Sequence, residues 1–282
     1  MKNFLAAITR QLYFIPGTYY LYKFFSSIFS ENKSSSIKII TTPYNFKIKV
    51  DTSKYLGNKI YWRGAHDWNT ILALKKILCP DDIVFDIGAN IGEYTLFAAS
   101  MLSDKGKVWS FEPVEKMYQV LQENIDLNPH IKNRIRIIKK GVGLQKAVLP
   151  IYDDVSNNNE GVYSLHPSNF QHSKKIEDIE IDRLDTIFIE NQIPRVDLIK
   201  IDVEGNELFV LQSADHILST YHPKLMIEVS SKNFSAAGYS TKDLIDYLKK
   251  YQYTIYLIKV RGLLQKIQVH SDLPEFCNIL AL

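Results

Sequence analysis

The chain is poor in cysteine: Cys79 and Cys277 are its only two, far apart and outside any CxxC or Cys/His spacing. That sets aside a disulfide framework and a thiolate zinc site, and it suits a reducing, cytoplasmic setting. Long hydrophobic runs are missing as well. The uncharged stretch 11–22 is broken by Pro16 and Gly17 and is too short to span a bilayer. The apolar run 4–8 is too short for the core of a signal peptide. Nor does one charge dominate: 34 basic against 31 acidic residues give +3, without the concentrated basic face of a nucleic-acid binder. The densest basic run, 134–140, alternates with isoleucine and reads as a strand with one solvated face. No nucleic-acid partner is expected. What the chain does have is apolar bulk. With 46% hydrophobic residues over 282 positions, it can bury a substantial core in one large domain, or in a domain with an extension.

Residues 1–29 stand apart, rich in Phe and Tyr, sparse in acids, and carrying Lys2, Arg10 and Lys23. The serine-rich segment that follows makes 1–36 an aromatic, helical extension with a linker. Two readings are open for it. It is a helical pair packed on the main domain, or an interfacial anchor that makes the protein membrane-peripheral, aromatics at headgroup level. Alternation in 37–39 and 46–50 predicts a small β layer over 37–62. The main domain is expected over 63–282. It opens with a helix at 65–78, followed by strands at 83–85, 107–111 and 135–138 separated by helices at 94–102 and 114–127. The stretch 141–182, with its polar loop 156–160, breaks the rhythm and predicts an antiparallel insertion facing the substrate. Strands at 198–201, 225–229, 253–259 and 276–280 and helices at 207–218 and 241–250 complete the pattern. Such alternation argues for an α/β, Rossmann-like fold, a mainly parallel twisted sheet with helices on both faces.

The segment VFDIGANIGEYT, residues 84–95, is the most informative. A hydrophobic strand ends in Asp86, turns through Gly88 and enters a helix near Gly92, where glycines permit a tight turn and close packing. A nicotinamide fingerprint would want GxGxxG. Here Asn90 takes the middle position and a carboxylate precedes the first glycine, which favours a ligand bearing an ammonium over one bearing a pyrophosphate. In Phe111-Glu112-Pro113, Glu112 closes the next strand where such folds place an acid on ribose hydroxyls, and Pro113 fits the start of a helix. S-adenosylmethionine carries both features, a ribose diol and an α-amino group. The bland alternative is that Asp86 and Glu112 only cap helices.

DIGANIGEYT (86–95), FEP (111–113) and LIKIDVEGNE (198–207) together resemble the FkbM-like family of methyltransferases, over roughly residues 60–235. The resemblance implies a class I methyltransferase fold, S-adenosylmethionine as donor and, often, O-methylation of sugar hydroxyls in glycans or natural products. Carried over by position, Asp86, Gly88, Asn90, Gly92 and Glu112 would line the cofactor site, with Pro113 beside them. Residues 1–59 lie outside the resemblance.

Methyl transfer to a hydroxyl needs an aligned acceptor and a group that takes its proton. Ligands of doubly wound sheets bind at the carboxyl ends of the strands. Two further strands end in acids there: Asp202 and Glu204 on one, Glu228 on the other. Asp202 is the expected base or acceptor orienter, Glu204 the second choice and Glu228 the third. Each could instead cap a helix or pair with Lys200. Asp202 and Glu228 could contribute to a magnesium site, but their spacing does not demand a metal and none is expected. His66, between Gly64 and Asp67, is a plausible lip residue or base. The Asn- or Asp-Pro-Pro-aromatic pattern of amino-methylating enzymes is absent, which favours oxygen as the acceptor atom. The acceptor is expected to be a small molecule or glycan. Two other functions compete: a NAD-dependent oxidoreductase, weakened by the missing GxGxxG and Tyr-x-x-x-Lys, and a non-catalytic membrane-associated binding protein.

Overall fold

The computed structural model describes residues 2–13, 15, 17–29, 36–154 and 161–282. Of the expected linker over 30–36, residues 30–35 lie outside the described residues, as does the polar loop 156–160. The chain opens with helices α1 (Lys2–Gln11) and α2 (Thr18–Ile28) and a hairpin of β1 (Ile37–Thr41) and β2 (Lys47–Asp51). Helices α3 (Tyr55–Arg63) and α4 (Trp68–Ile77) follow. The expected β layer over 37–62 therefore stops at Asp51. Gly57, Ile60 and Tyr61 are the buried side of what comes next, a helical spacing that the strand reading overlooked.

The central unit alternates β3 (Ile83–Ile87), α5 (Glu93–Met101), β4 (Lys107–Phe111), α6 (Glu115–Asp126) and β5 (Ile135–Ile138). An insertion of β6 (Gly141–Val142), β7 (Ala147–Asp154), β8 (Tyr163–Ser164) and β9 (Ser173–Asp182) forms its own sheet. Its pairings are antiparallel except β6 against β9. Helix α7 (Leu184–Glu190) leads to β10 (Leu198–Ile201), α8 (Glu207–Gln212), α9 (Asp215–Tyr221), β11 (Lys224–Ser230), α10 (Ser231–Ala236) and α11 (Thr241–Lys250). Strands β12 (Ile255–Ile258), β13 (Leu264–Lys266) and β14 (Phe276–Ala281) complete the described chain.

The eight-stranded sheet runs β13-β12-β14-β11-β10-β3-β4-β5. β3, β4, β5, β10 and β11 are parallel, β14 is inserted antiparallel between β11 and β12, and β13 pairs antiparallel outside. Every residue of β3 and of β10 is buried, as expected for strands covered on both faces. Val84, Val108, Leu198 and Met226 face one core with Leu74, Phe97 and Leu121 of α4, α5 and α6. Phe85, Ile87, Ile199 and Ile227 face the other with Leu184, Leu211, Leu218 and Leu248 of α7, α8, α9 and α11.

The single helix expected over 207–218 is two helices. Ser213 is fully buried, and its carbonyl and hydroxyl accept from the backbone N–H groups of Asp185 (3.0 Å) and Leu184 (3.1 Å). The Asp185 carboxylate in turn accepts from His216 and Ile217 N–H at 2.9 and 3.1 Å, which starts α9 afresh.

Candidate active site

The carboxyl ends of β3, β4, β10 and β11 open into a cavity of about 490 Å³, within the range of small-ligand sites. Tyr55, Leu56 and Lys59 of α3 wall one side, and Ile151, Ile179 and Ile181 of the insertion wall another. The loop after β3 is held by its neighbours. Gly88 has φ 81°, and a Cβ there would lie 1.8 Å from the Asp202 carbonyl oxygen. The close approach that Gly88 allows is thus made by the β10 loop itself. Asn90 N–H donates to Glu112 Oε2 at 2.8 Å, and Asn90 Nδ2 donates to the Gly161 carbonyl at 3.0 Å, which ties the loop to the insertion. Glu112 Oε1 accepts from Val114 N–H at 2.9 Å. Burial pushes the Glu112 carboxyl up to about 7, against these backbone donors.

Gly88, Asn90, Glu112 and Pro113 all line the cavity. Asp86 and Gly92, expected to line it too, stand behind it. Asp86 is 1% exposed; its Oδ2 accepts from Thr95 Oγ1 at 2.6 Å and its Oδ1 lies 3.4 Å from Lys200 Nζ. The ammonium that this carboxylate meets is therefore the protein's own. A Cβ on Gly92 would lie 2.5 Å from Leu121 Cδ1, so this glycine brings α5 against α6 rather than against a strand.

Lys200, named from the sequence only as an alternative partner for the acids after β10, is itself a site residue and pairs with Asp86 as well as Asp202. It stands opposite Asp86 in the β10–β3 register. Nζ lies 3.4 Å from both Asp86 Oδ1 and Asp202 Oδ2, and 4.6 Å from the Tyr94 ring centre. Burial opposes its charge, but the carboxylates of Asp202, Asp86 and Glu228 outweigh that and hold the ammonium above its usual range. A signal was present: lysine in the middle of a strand buried on both faces is rare without a partner.

Asp202, Glu204 and Glu228 converge, one carboxylate oxygen of each within 4.8 Å of the others. Together they are an oxygen donor set that could take a divalent cation; Glu204 joins the pair weighed from sequence. Burial first, then Asp202 and Glu207, raises Glu204 to about 8, although Asn233 Nδ2 donates to its Oε2 at 2.8 Å. Burial, with Asp202 and Glu204 beside it, also raises Glu228 well above the usual carboxylate range. Glu207 accepts from the N–H groups of Val203 (3.0 Å) and Gly205 (3.1 Å) and braces this loop from behind. His66 reaches the cavity. Burial, and then the Lys59 charge, lowers its imidazole to about 4, while the His66 backbone N–H donates to Glu93 Oε1 at 2.6 Å.

A family model described as the methyltransferase FkbM domain matches residues 86–255. The hexuronic acid methyltransferase AglP of Haloferax volcanii is 27% identical over 177 residues, 60% of this chain and 62% of that protein. Methyltransferase 1 of Beauveria bassiana is 28% identical over 153 residues, 48% of this chain and 60% of that one. The chain spans about three-fifths or less of the length of the curated relatives it matches. Among solved structures, methyltransferase FkbM from Methylobacillus flagellatus aligns with a TM-score of 0.50 at 20% identity, over 77% of this chain and 48% of that one. The architecture is that of the class I methyltransferases, which leaves the nicotinamide reading without support. With the matched segment running from the end of β3 to the start of β12 and taking in every loop at the carboxyl ends of the central strands, the chain belongs to the FkbM methyltransferase family, whose methyl donor is S-adenosylmethionine.

Proposed function

We propose that this chain is an S-adenosylmethionine-dependent O-methyltransferase acting on a sugar hydroxyl of a glycan or glycosylated natural product. The cavity's chemistry fits the donor. Glu93, Glu112, Asp202, Glu204 and Glu228 line it, an acidic surround suited to a ligand with two cationic centres, and Phe111, Val114 and Val142 supply an apolar wall for an adenine ring. Glu112 uses one lone pair on each oxygen for backbone N–H groups, which leaves acceptor capacity for a ribose diol. When bound, S-adenosylmethionine supplies an electrophilic methyl group and a neutral leaving group.

The observation that carries the reading is Asp202. Its carboxylate stands at the end of β10, on the cavity, with 31% of its side chain exposed and Lys200 Nζ 3.4 Å away. Burial raises Glu204 to about 8 and pushes Glu228 well above the usual carboxylate range, which biases both toward the protonated form, and Glu204 already accepts from Asn233 Nδ2. The His66 imidazole, held near 4, is a weak base. Asp202 is left to take the acceptor's hydroxyl proton as the new C–O bond forms, while Lys200 stays charged beside it. A relative named for hexuronic acid methylation supports a saccharide acceptor.

The test is Asp202→Asn, assayed for methyl transfer from labelled donor to a saccharide panel. Turnover should fall by about 10²–10⁴ with little change in donor affinity. Near-parental turnover would remove Asp202 from the chemistry. If chelation abolishes parental activity and magnesium restores it, the three carboxylates act as metal ligands and Asp202 loses the role of base.

A further inference from the structure

We propose that α1 and α2 form a docking surface for an anionic lipid membrane. Helix α2 carries two apolar stripes, about 100° apart around its axis. Tyr22, Phe25 and Phe29, spaced i, i+3, i+7, pack against the core, and the rings of Phe25 and Phe29 lie 6.2 Å from that of Trp62. Leu21, Phe24 and Ile28 repeat the same spacing one residue earlier and are 44%, 59% and 57% exposed. Helix α1 does likewise. Ala6, Thr9 and Arg10 are buried, whereas Phe4 and Ile8, one turn apart, are 69% and 41% exposed. One apolar stripe suffices to pack a helix on its domain; a second, turned outward on both helices, is surplus to folding.

Charge identifies what covers it. Residues 1–29 contain Lys2, Arg10 and Lys23 and no Asp or Glu, while the remainder, with three fewer than 34 basic residues, has 31 to set against 31 acidic ones. The whole net charge of +3 therefore sits in this segment. Arg10 is spent inward on the Tyr61 carbonyl at 2.5 Å and Lys2 lies over the Tyr61 ring, whereas Lys23 is exposed at the edge of the outer stripe of α2. Outward apolar side chains on a segment of positive net charge, with no anion among them, suit the interface of an anionic bilayer. No helix among the described residues is long and apolar enough to cross a membrane, so the segment would lie on the surface. This inference stands apart from the donor reading, since it is tested without donor or acceptor.

The experiment is co-flotation of the full chain with phosphatidylcholine vesicles, with and without one-third phosphatidylglycerol. The parent should float with the anionic vesicles and stay behind with the neutral ones. Phe24→Ser with Ile28→Ser should weaken binding at least about tenfold at an unchanged melting temperature, because both side chains face outward. Lys23→Gln should weaken it by about fivefold. A double variant that floats like the parent overturns the proposal. So does a parent that floats with neither vesicle, or whose light-scattering mass is that of a dimer until the double variant makes it a monomer; in that last case a second copy of the chain covers the stripe.

Discussion

Lys200 and Asp86 face each other across two adjacent, fully buried strands, and each is the reason the other can be there. A charge at that depth is stable only when paired. Lys200→Met should therefore cost about 3–5 kcal/mol, because Asp86 is left buried without its counter-ion. Adding Asp86→Asn to that variant should recover a large part of the loss, and urea denaturation of the two single variants and the double would measure it. If the two losses simply add, the pair is not coupled. The neighbouring acids make a second expectation. Glu93, Glu112 and Glu207 are raised to about 7, and Glu204 to about 8, by burial above all. The folded chain keeps protons that the unfolded chain gives up near 4.5. Their stabilisation is complete below that point and is lost as pH rises through 7 to 8. His66, lowered to about 4, works oppositely, with its contribution lost as pH falls from 6.5. His166 is lowered too and Glu228 is raised; five raised glutamates outweigh two imidazoles, so the urea midpoint should rise as pH is lowered from 8 to about 5. A midpoint that climbs from pH 5 to pH 8 contradicts this.

The hairpin β1–β2 is held by α6 and the turn that follows it. Asn124 lies on α6 and Asn128 two residues beyond its end, while Lys47 and Lys49 lie two apart on β2, about 6.6 Å along the strand and on the same side of it. Each asparagine engages one residue's backbone. Asn128 accepts from Lys47 N–H at 2.7 Å and donates to its carbonyl at 2.6 Å; Asn124 accepts from Lys49 N–H at 2.6 Å and donates to its carbonyl at 3.4 Å. Asn124 also donates to the Ile91 carbonyl at 2.8 Å, so the clamp reaches the loop that carries Asn90. Asn124→Ala should cost roughly 2–4 kcal/mol through the buried groups it strands, and hydrogen exchange at Lys49 should quicken. Unchanged protection there would show that the clamp is not needed. Such pairings explain what the sequence could and could not reveal. Strands β3, β4 and β10 and helices α5 and α6 were legible because hydrophobic period and turn residues are local. The break between α8 and α9 was not, since it depends on Asp185, thirty residues away in the chain, nor was α3, whose helical spacing followed a run of alternation. Glu112 and Asn90 were placed from their position at strand ends. That Asp86 would be answered by Lys200 depended on which strands became neighbours, and no local pattern carries that.

Taken together, the helices before the hairpin close the core on the side of α3, as well as offering an outer surface. Thr9 Oγ1 donates to the Trp62 carbonyl at 2.6 Å, and Tyr13 stacks on Trp68 with ring centres 3.8 Å apart. Trp62 is completely buried and Trp68 nearly so. The two readings left open for residues 1–29 are compatible in physical terms, because they use different faces of the same helices. Removing residues 1–35 tests the inner face. It uncovers large parts of two indole rings that would otherwise bury 150–250 Å² each, roughly 4 kcal/mol of apolar burial. For a chain of this size the melting temperature should fall by about 10 °C. Trp62 and Trp68 should emit at longer wavelength, while Trp109, on β4 in the sheet, keeps its surroundings. The outer-face variant Phe24→Ser with Ile28→Ser should do neither, since it leaves Phe25, Phe29 and Tyr13 in place. A truncated chain that melts and emits like the parent would mean that α1 and α2 contribute nothing to the core, and the contacts to Trp62 and Trp68 would carry no stabilisation.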